Sequence, residues 1–150
     1  MKLDSVDQIL DFAIAKEQEA WQFYMDLAAK VGQQPVKQVF EAFAGEELQH
    51  KAKLIEIKQR KLMIPVQQRV LDLKIGDHLV DIVLSPNMTY QQALIVAMKA
   101  EKAAFRMYHD LAAAAGEGNL KESLLMLAQE EARHKLRFEI EYDDNFQREN

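Results

Sequence analysis

The chain has 150 residues, of which 49% are hydrophobic, and only five glycines and three prolines interrupt it, so a single domain of long helices over residues 1–150 is expected. The formal net charge of −5 argues against a nucleic-acid-binding surface, because such a surface needs clustered Lys and Arg. The absence of cysteine excludes disulfides, Cys-ligated zinc or iron–sulfur sites, and thiol nucleophiles.

The amino-terminal stretch MKLDSVDQIL carries acidic residues where a secretory signal needs an unbroken apolar segment. No segment of the chain approaches the roughly 20 apolar residues that cross a membrane. We therefore expect a soluble, cytoplasmic protein that has neither a membrane nor a nucleic acid as its partner.

The first two predicted helices form a hairpin. The first helix begins at Ser5, which has a glutamine three residues later as in a capping box, and it ends near Gly32. The second begins at Pro35, a favourable residue for a first helical turn, and runs to about Met63. Because only a few residues join the two helices, they are expected to be antiparallel neighbours.

The last two predicted helices form a second hairpin of the same design. The third helix begins at Thr89, again with a glutamine three residues later, and ends near Gly116. The fourth runs from Asn119 to about Tyr142. Residues 64–88, between the hairpins, are too many for a tight turn. They predict a crossover connection with room for a short helix of its own.

The second hairpin repeats the first at one constant offset and without a gap, which indicates an internal duplication. The matching pairs are Ser5/Thr89, Gln8/Gln92, Glu17/Glu101, Ala20/Ala104, Tyr24/Tyr108, Asp26/Asp110, Leu27/Leu111, Gly32/Gly116, Glu46/Glu130, Glu47/Glu131 and His50/His134. The duplication predicts a pseudo-twofold axis that relates residues 5–61 to residues 89–142.

Heptad spacing gives each helix one seam that faces the interior, and each seam is apolar except near its middle. The seams are Leu10, Ala13, Glu17, Ala20, Tyr24, Leu27 and Val31; Val36, Phe40, Phe43, Glu47, His50, Leu54 and Ile57; Leu94, Ala97, Glu101, Ala104, Tyr108, Leu111 and Ala115; and Leu120, Leu124, Leu127, Glu131, His134 and Phe138. Carboxylates, imidazoles and tyrosine hydroxyls are therefore expected to meet at one level of the core.

Four glutamates at one level of a core need compensating positive charge, because a buried carboxylate without a partner costs several kcal/mol. No Lys or Arg occupies the seams, so the charge must come from outside the chain. Two divalent metal ions balance four carboxylates, and two neutral imidazoles complete the ligand set. Such a mixed oxygen and nitrogen set suits iron or manganese, and zinc also binds by affinity order.

Other polar residues are assigned no role in this site. A single Glu-x-x-His on a helix usually marks neighbours on a solvated face, and Glu46 and Glu130, one step off the seam, are interpreted in that way. His78 and His109 lack a duplicated counterpart and are interpreted as ordinary histidines.

The whole pattern resembles the ferritin-like di-iron carboxylate superfamily, in which two helices supply one Glu each and two supply Glu-x-x-His. Within it, the chain is similar to the rubrerythrin branch, which shares the duplication, a Tyr seven residues after the Glu, and EExxH in both halves. Here these are Glu17 and Tyr24 with EELQH, and Glu101 and Tyr108 with EEARH. The resemblance implies an all-α, ferritin-like four-helix bundle of two duplicated helical hairpins with a long crossover connection.

The resemblance also implies a role for each residue around two iron ions. The bridging carboxylates would be Glu47 and Glu131. The terminal ligands would be Glu17, His50, Glu101 and His134. Tyr24 and Tyr108 are the candidate catalytic residues beyond the ligands, because their hydroxyls would donate hydrogen bonds that orient the carboxylates.

By this resemblance the protein would be a di-iron oxidoreductase of peroxidase or ferroxidase type, in which Fe(II) reduces hydrogen peroxide or dioxygen as in the response to oxidative stress. Two other functions remain open: iron handling through ferroxidase chemistry, and a non-enzymatic metal-binding bundle. The resemblance further implies a homodimer, in which helix pairs are either kept or exchanged between protomers.

Two departures from the rubrerythrin pattern matter. The chain has no cysteines for a rubredoxin domain, so a separate electron-donor protein is expected. Peroxide-reducing rubrerythrins carry an additional carboxylate one turn after the ligand of the third helix, where this chain has Ala104, with Ala20 as its counterpart. The centre is therefore expected to be more symmetric, closer to that of a bacterioferritin.

Overall fold

The computed structural model describes residues 2–3, 5–32, 34–60, 71–72, 84, 87–116 and 118–146. Its helices are α1 (Val6–Val31), α2 (Gln34–Arg60), α3 (Tyr90–Ala115) and α4 (Asn119–Phe146). Two strands of two residues each, β1 (Lys2–Leu3) and β2 (Leu71–Asp72), pair antiparallel, a contact that the sequence did not predict.

Local capping chemistry sets the starts of α1 and α3. The Ser5 hydroxyl accepts the Gln8 N–H at 3.1 Å, and Thr89 and Gln92 form a reciprocal capping box with two bonds of 3.1 Å. α1 ends at Gly32, whose φ of 75° lies in the left-handed region that glycine adopts freely. These ends are confirmed because they depend on a few residues adjacent in sequence.

The other helix limits differ slightly from the prediction. α2 begins at Gln34, one residue early, and is described to Arg60, so its predicted last turn lies outside the described residues. α4 continues four residues past Tyr142 to Phe146. The Phe146 ring contacts those of Tyr142 and Tyr90, with centroids 5.5 and 6.1 Å apart, so aromatic packing supports the extra turn. The short helix expected in residues 64–88 falls mostly outside the described residues, which in this range are 71–72, 84, 87 and 88.

The helices form a four-helix bundle made of two hairpins. α1 packs along α2 and α3 along α4, and the hairpins meet through α1 with α3 and α2 with α4. Lys51 of α2 binds Gln18 of α1, and Lys58 binds Asp11, so these helices are antiparallel. Hydrogen bonds from Tyr24 in α1 to Glu101 in α3, and from Tyr108 to Glu17, show that α1 and α3 are antiparallel too. α2 and α3 are therefore parallel, and the chain between them must cross the length of the bundle.

The core consists of two apolar clusters. One contains Ile9, Leu10, Leu54, Leu111 and Leu124, and the other contains Leu27, Phe40, Phe43, Leu94 and Phe138. The predicted seams are buried, with five positions only half-buried: Ala20, Val31, Val36, Ile57 and Ala104. Between the two clusters lies the polar layer. Among the described residues, no helix is long and apolar enough to cross a membrane.

Candidate metal centre

All six predicted metal ligands lie in the polar layer of the core. Their relative exposure is 5% or less: Glu17, Glu47, His50, Glu101, Glu131 and His134. Each helix contributes from its middle turns, α1 and α3 with one Glu each and α2 and α4 with a Glu and a His three residues later. The spacing of three residues places the Glu and the His on the same helix face.

Each histidine turns its Nδ1 atom toward the carboxylates. His50 Nδ1 lies 2.9 Å from Glu17 Oε2, 3.2 Å from Glu47 Oε1 and 3.3 Å from Glu131 Oε1. His134 Nδ1 lies 3.5 Å from Glu101 Oε1 and from Glu131 Oε1. The two imidazole rings are nearly parallel, with centroids 5.7 Å apart and 7° between their planes. The two halves of the site therefore face each other across the pseudo-twofold axis.

Several buried polar atoms of this layer have no hydrogen-bond partner. They are Glu47 Oε1, Glu101 Oε2, both carboxylate oxygens of Glu131, and His134 Nδ1. Ligand atoms of Glu47, His50, Glu131 and His134 lie within 4.8 Å of one another. Buried oxygens without donors are costly unless a cation satisfies them. The donor set of carboxylates and imidazoles therefore fits a metal site.

The pKa values of these residues are shifted because several ionisable groups are buried close together. Burial, with repulsion from Glu17, raises the pKa of Glu47 to about 8. Burial, with repulsion from Glu101 and Glu47, raises the pKa of Glu131 well above its usual range. Burial lowers the pKa of His50, but hydrogen bonds to Glu131, Glu17 and Glu47 outweigh it and raise the pKa. Without metal, the cluster therefore holds protons that a cation can replace.

The two tyrosines bond across the hairpins. The Tyr108 hydroxyl donates to Glu17 Oε2 at 2.8 Å, and the Tyr24 hydroxyl donates to Glu101 Oε1. Burial, with repulsion from these same glutamates, raises the pKa of both phenols well above the usual value, so each hydroxyl keeps its proton. Each tyrosine thus fixes one oxygen of the carboxylate that the opposite hairpin supplies.

Glu46 and Glu130 contact the histidines, which corrects their interpretation as purely solvated residues. Glu46 Oε1 lies 3.4 Å from His134 Nε2, and Glu130 Oε1 lies 3.5 Å from His50 Nε2. Each carboxylate faces the outer ring nitrogen of the opposite hairpin's histidine, where it can fix the tautomer and the ring orientation. Their duplication at the common offset was a signal in the sequence, but helix position alone could not show a contact between hairpins.

A cavity of about 240 Å³ opens onto the centre between α1 and α3. Its floor is formed by the carboxylates of Glu17, Glu47, Glu101 and Glu131. Its walls are mostly apolar: Ala20, Phe23, Ala100, Ala103, Ala104 and Met107. At the rim, Lys16 Nζ lies 3.5 Å from Glu19 Oε1. The small side chains at Ala20 and Ala104 thus leave an opening on the side away from the histidines.

The remaining histidines agree with their assignment outside the site, as far as they are described. His109 is exposed and contacts the Phe105 ring, with centroids 4.5 Å apart. His78 lies outside the described residues.

Comparisons with known proteins agree with this geometry. Residues 8–142 match the model of the family described as Rubrerythrin. The fold is similar to that of a protein from Thermotoga maritima described as ferritin-like and diiron-carboxylate, with 17% identity, a TM-score of 0.73, and 96% of this chain and 97% of that chain covered. It is also similar to a hypothetical protein from Pyrococcus furiosus, with 24% identity, a TM-score of 0.63, and 90% and 86% covered. None of the curated proteins compared with the chain matches it. At these identities the solved structures show the ferritin-like fold alone.

Proposed function

This chain belongs to the rubrerythrin family, and on that basis we propose that it is a di-iron oxidoreductase that oxidises Fe(II) with hydrogen peroxide or dioxygen. The observation that carries the proposal is the buried layer of four glutamates and two histidines, whose unpartnered atoms face one another and open to solvent through one cavity. A structural bundle would not need such an opening onto buried carboxylates.

The six buried residues would hold two metal ions between the hairpins. Glu47 and Glu131 would help to hold both ions, because each lies near both histidines. When bound, two Fe(II) ions supply the two electrons that, with two protons, reduce one hydrogen peroxide to two waters.

The chain's own groups orient the ligands and control access to them. Tyr24 and Tyr108 each hold one oxygen of a terminal carboxylate, the same oxygen that lies near the histidine of that half, and so fix the orientation of the carboxylate. Glu46 and Glu130 hold the imidazoles from outside. The cavity admits a small oxidant, and its apolar walls limit the number of waters beside the centre.

Re-reduction of the iron is assigned to a separate donor protein in the cytoplasm, because the chain has no cysteines to hold a rubredoxin-type iron. The donor would deliver single electrons, so two encounters complete one cycle. Neither a membrane nor a nucleic acid takes part in this reaction.

A second function, ferroxidase chemistry that feeds iron handling, is favoured by one observation. Ala20 and Ala104 occupy equivalent positions in the cavity wall, so neither half of the site has the additional carboxylate of peroxide-reducing rubrerythrins. With no extra carboxylate in either half, only the six buried residues would hold the ions, and such a ligand set would favour release of ferric iron over its retention.

Anaerobic loading with Fe(II), followed by stopped-flow mixing with hydrogen peroxide or with dioxygen, tests the proposal. We expect two Fe(II) per chain and one peroxide consumed for every two irons oxidised. Iron retained after oxidation supports the oxidoreductase, and iron released on each cycle supports the ferroxidase. Bound Fe(II) that neither oxidant changes would leave a non-enzymatic bundle. Replacing Glu122, an exposed carboxylate of α4, by alanine provides a matched control that should change nothing.

A further inference from the structure

The cavity between α1 and α3 is much larger than hydrogen peroxide or dioxygen requires. Its volume of about 240 Å³ is about eight times the roughly 30 Å³ that one water molecule occupies in the liquid. Either oxidant has only two heavy atoms, so it would leave most of this space to water. By comparison, an apolar cavity of about 150 Å³ is enough to bind benzene. The volume therefore fits a molecule that carries an organic group.

The inner walls of the cavity are apolar on both sides. Two counterpart pairs of the repeat line them: Ala20 with Ala104, and Phe23 with Met107. Since none of these side chains has a strong hydrogen-bonding group, water held against them is poorly ordered, and an apolar group that displaces such water gains affinity. The flexible thioether of Met107 also adapts to groups of different shape. These walls favour the burial of hydrocarbon.

The floor of the cavity, in contrast, is polar. It is formed by the carboxylates of the metal centre, and the floor oxygens without a hydrogen-bond partner are Glu47 Oε1, Glu101 Oε2 and both oxygens of Glu131. A molecule that fills the cavity must therefore place its polar atoms at the floor and its carbon atoms along the walls. This requirement selects a compact amphipathic molecule with its reactive group at one end.

The rim provides extra space on one side only. On α1, Lys16 and Glu19 form an ion pair of 3.5 Å at the mouth of the cavity. The counterpart positions on α3 are Ala100 and Ala103, which have no atoms beyond Cβ. An organic group wider than the floor can therefore extend toward the α3 side of the mouth.

We propose that the cavity binds small organic hydroperoxides, ROOH in which R is a branched alkyl or arylalkyl group, and that the centre reduces them. This inference rests on the proposed oxidoreductase function and names its substrate class. The peroxy group lies at the carboxylate floor, and R lies against the apolar walls.

The reduction balances with the iron already assigned to the site. The O–O bond breaks, two Fe(II) ions each give one electron and become Fe(III), and two protons come from solvent, so that the products are the alcohol ROH and one water. Contacts between R and the walls orient the peroxy group, and hydrogen peroxide has no group that makes such contacts. The organic substrates should therefore react faster.

Rates with a series of oxidants test the substrate class. Fe(II)-loaded protein is mixed by stopped flow with cumene hydroperoxide, tert-butyl hydroperoxide or hydrogen peroxide, and the alcohol formed is measured. We expect a second-order rate constant at least tenfold higher for cumene hydroperoxide than for hydrogen peroxide, since even one methylene in a fitted apolar pocket is worth roughly tenfold. Free Fe(II) in the same buffer is the control for the intrinsic reactivity of each oxidant.

Two variants that fill the cavity should remove the preference for the organic substrate. Ala104→Leu places a branched side chain on the inner wall. Ala100→Lys combined with Ala103→Glu copies the rim residues of α1 onto α3, at positions where the other hairpin already accommodates them. Either change should lower the ratio of the two rate constants at least tenfold. Ala113→Leu, which adds the same bulk at an exposed position of α3, is the matched control and should not change the ratio.

Binding measured without iron separates this inference from the proposed function. Cumyl alcohol, the product expected from cumene hydroperoxide, has no O–O bond, and calorimetry of the iron-free protein should show saturable binding of one alcohol per chain. Ala104→Leu should weaken this binding at least tenfold. Absence of binding, or a rate constant for cumene hydroperoxide no higher than that for hydrogen peroxide, overturns the inference and leaves the proposed function intact. Bound Fe(II) that no peroxide oxidises, in a protein that binds the alcohol, overturns the proposed function and the reduction with it.

Discussion

The two hairpins supply matching ligands but differ in what surrounds them. Glu17, Glu47 and His50 have identical residues at the counterpart positions, and the two tyrosines bond reciprocally across the bundle. At the rim of the cavity the two hairpins carry different residues. Lys16 and Glu19 form an ion pair where the second hairpin has Ala100 and Ala103.

The histidine side of the centre differs in a similar way. Arg137 holds Glu46, whereas its counterpart Lys53 contacts Met126. The His50 imidazole lies 2.9 Å from Glu17, whereas the matching distance from His134 to Glu101 is 3.5 Å. The hairpins therefore agree where four negative charges must be balanced, and they differ where side chains meet solvent. Variants made in pairs can test how far that agreement extends.

Loss of a bridging carboxylate should have the largest effect and should be equal in the two hairpins. Glu47→Ala and Glu131→Ala each remove a residue that lies near both histidines, so both metal ions should be lost. The affinity should fall by more than the roughly 100-fold that loss of an outer hydrogen-bond partner can cost. Elemental analysis after dialysis against Fe(II) measures this. Two retained metals with an unchanged oxidation rate in both variants would mean that the EExxH copies are not halves of one site.

Loss of a terminal ligand should weaken one metal and spare the other. Glu17→Ala and Glu101→Ala should each leave about one metal per chain, since the bridging carboxylates remain in place. The same result is expected for His50→Ala and His134→Ala. Titration with Mn(II) gives the stoichiometry and the two affinities. If the Mn(II) affinities of the two variants in either pair differed by more than about tenfold, the different surroundings of the two hairpins would affect metal binding by the ligands.

A rise in pH should lower the stability of the metal-free protein, whereas bound metal should raise the stability. The folded-state pKa of Glu47, raised to about 8, means that the metal-free protein binds more protons than the unfolded chain between about pH 4.5 and 8, so its stability falls as the pH rises through that window. The raised pKa of His50 acts with the same sign, because stability from its charged form is lost on deprotonation. Bound metal requires deprotonated ligands and so gains affinity over the same range.

Thermal melts with and without Mn(II) at pH 5.5 and 8 measure this difference. A metal at 100 times its dissociation constant adds about 2.7 kcal/mol, or roughly 5–10 °C for a chain of this length. We expect the gap between the two melting temperatures to reach that size at pH 8 and to shrink at pH 5.5. Equal melting temperatures at saturating metal would contradict a buried site.

The sequence predicted the bundle and the burial of the candidate ligands because both depend on features that are local and repeated. Helix caps involve residues three apart, and the heptad seams place residues such as Glu17 and His50 inside wherever their helices pack. The duplication also removed the ambiguity of a single Glu-x-x-His. The fold class and the pairing of helices within each hairpin could therefore be predicted from the sequence.

The remaining features depend on how the hairpins fit together, which no spacing along one helix specifies. A tyrosine seven residues after a glutamate lies on the same helix face, yet Tyr24 bonds Glu101 and not Glu17, because the bond crosses to the opposite hairpin. The contact of Glu46 with His134 and the pairing of the two short strands depend on the same long-range geometry. Helical periodicity predicts which residues are buried, but it does not predict which residues of the other hairpin they contact.

Removing a tyrosine hydroxyl tests the hydrogen bonds between the hairpins and should lower the oxidation rate moderately. Tyr24→Phe and Tyr108→Phe keep the ring volume and should retain both metals, while the oxidation rate falls about 10–100-fold. Because Tyr24 donates to Glu101, Tyr24→Phe should add little to the effect of Glu101→Ala and its full effect to that of Glu17→Ala. The reverse should hold for Tyr108→Phe. Stopped-flow rates of the single and double variants give the coupling, and equal additivity in all four pairs would rule out the crossed bonds.

The smallest expected effect concerns the residues by which the hairpins differ. Arg137 bonds Glu46 at 3.3 Å and lies over the Phe43 ring at 4.5 Å, and that ring meets His134 edge-on at 4.9 Å. Arg137→Ala should therefore loosen two supports of one imidazole. With the arginine side chain 56% exposed, its ion pair contributes little, and we expect a loss of about two- to threefold in affinity for one metal.

Lys53→Ala is the matched control at the counterpart position. Its ammonium contacts Met126 and neither Glu130 nor a ring beside His50 in the described contacts, so the affinity of both metals should stay unchanged. Mn(II) titration of the two variants measures the difference. If Lys53→Ala lowered the affinity for one metal as much as Arg137→Ala does, Glu46 and Glu130 would be supported equally. The difference between the hairpins would then be confined to the surface and would not affect the histidines.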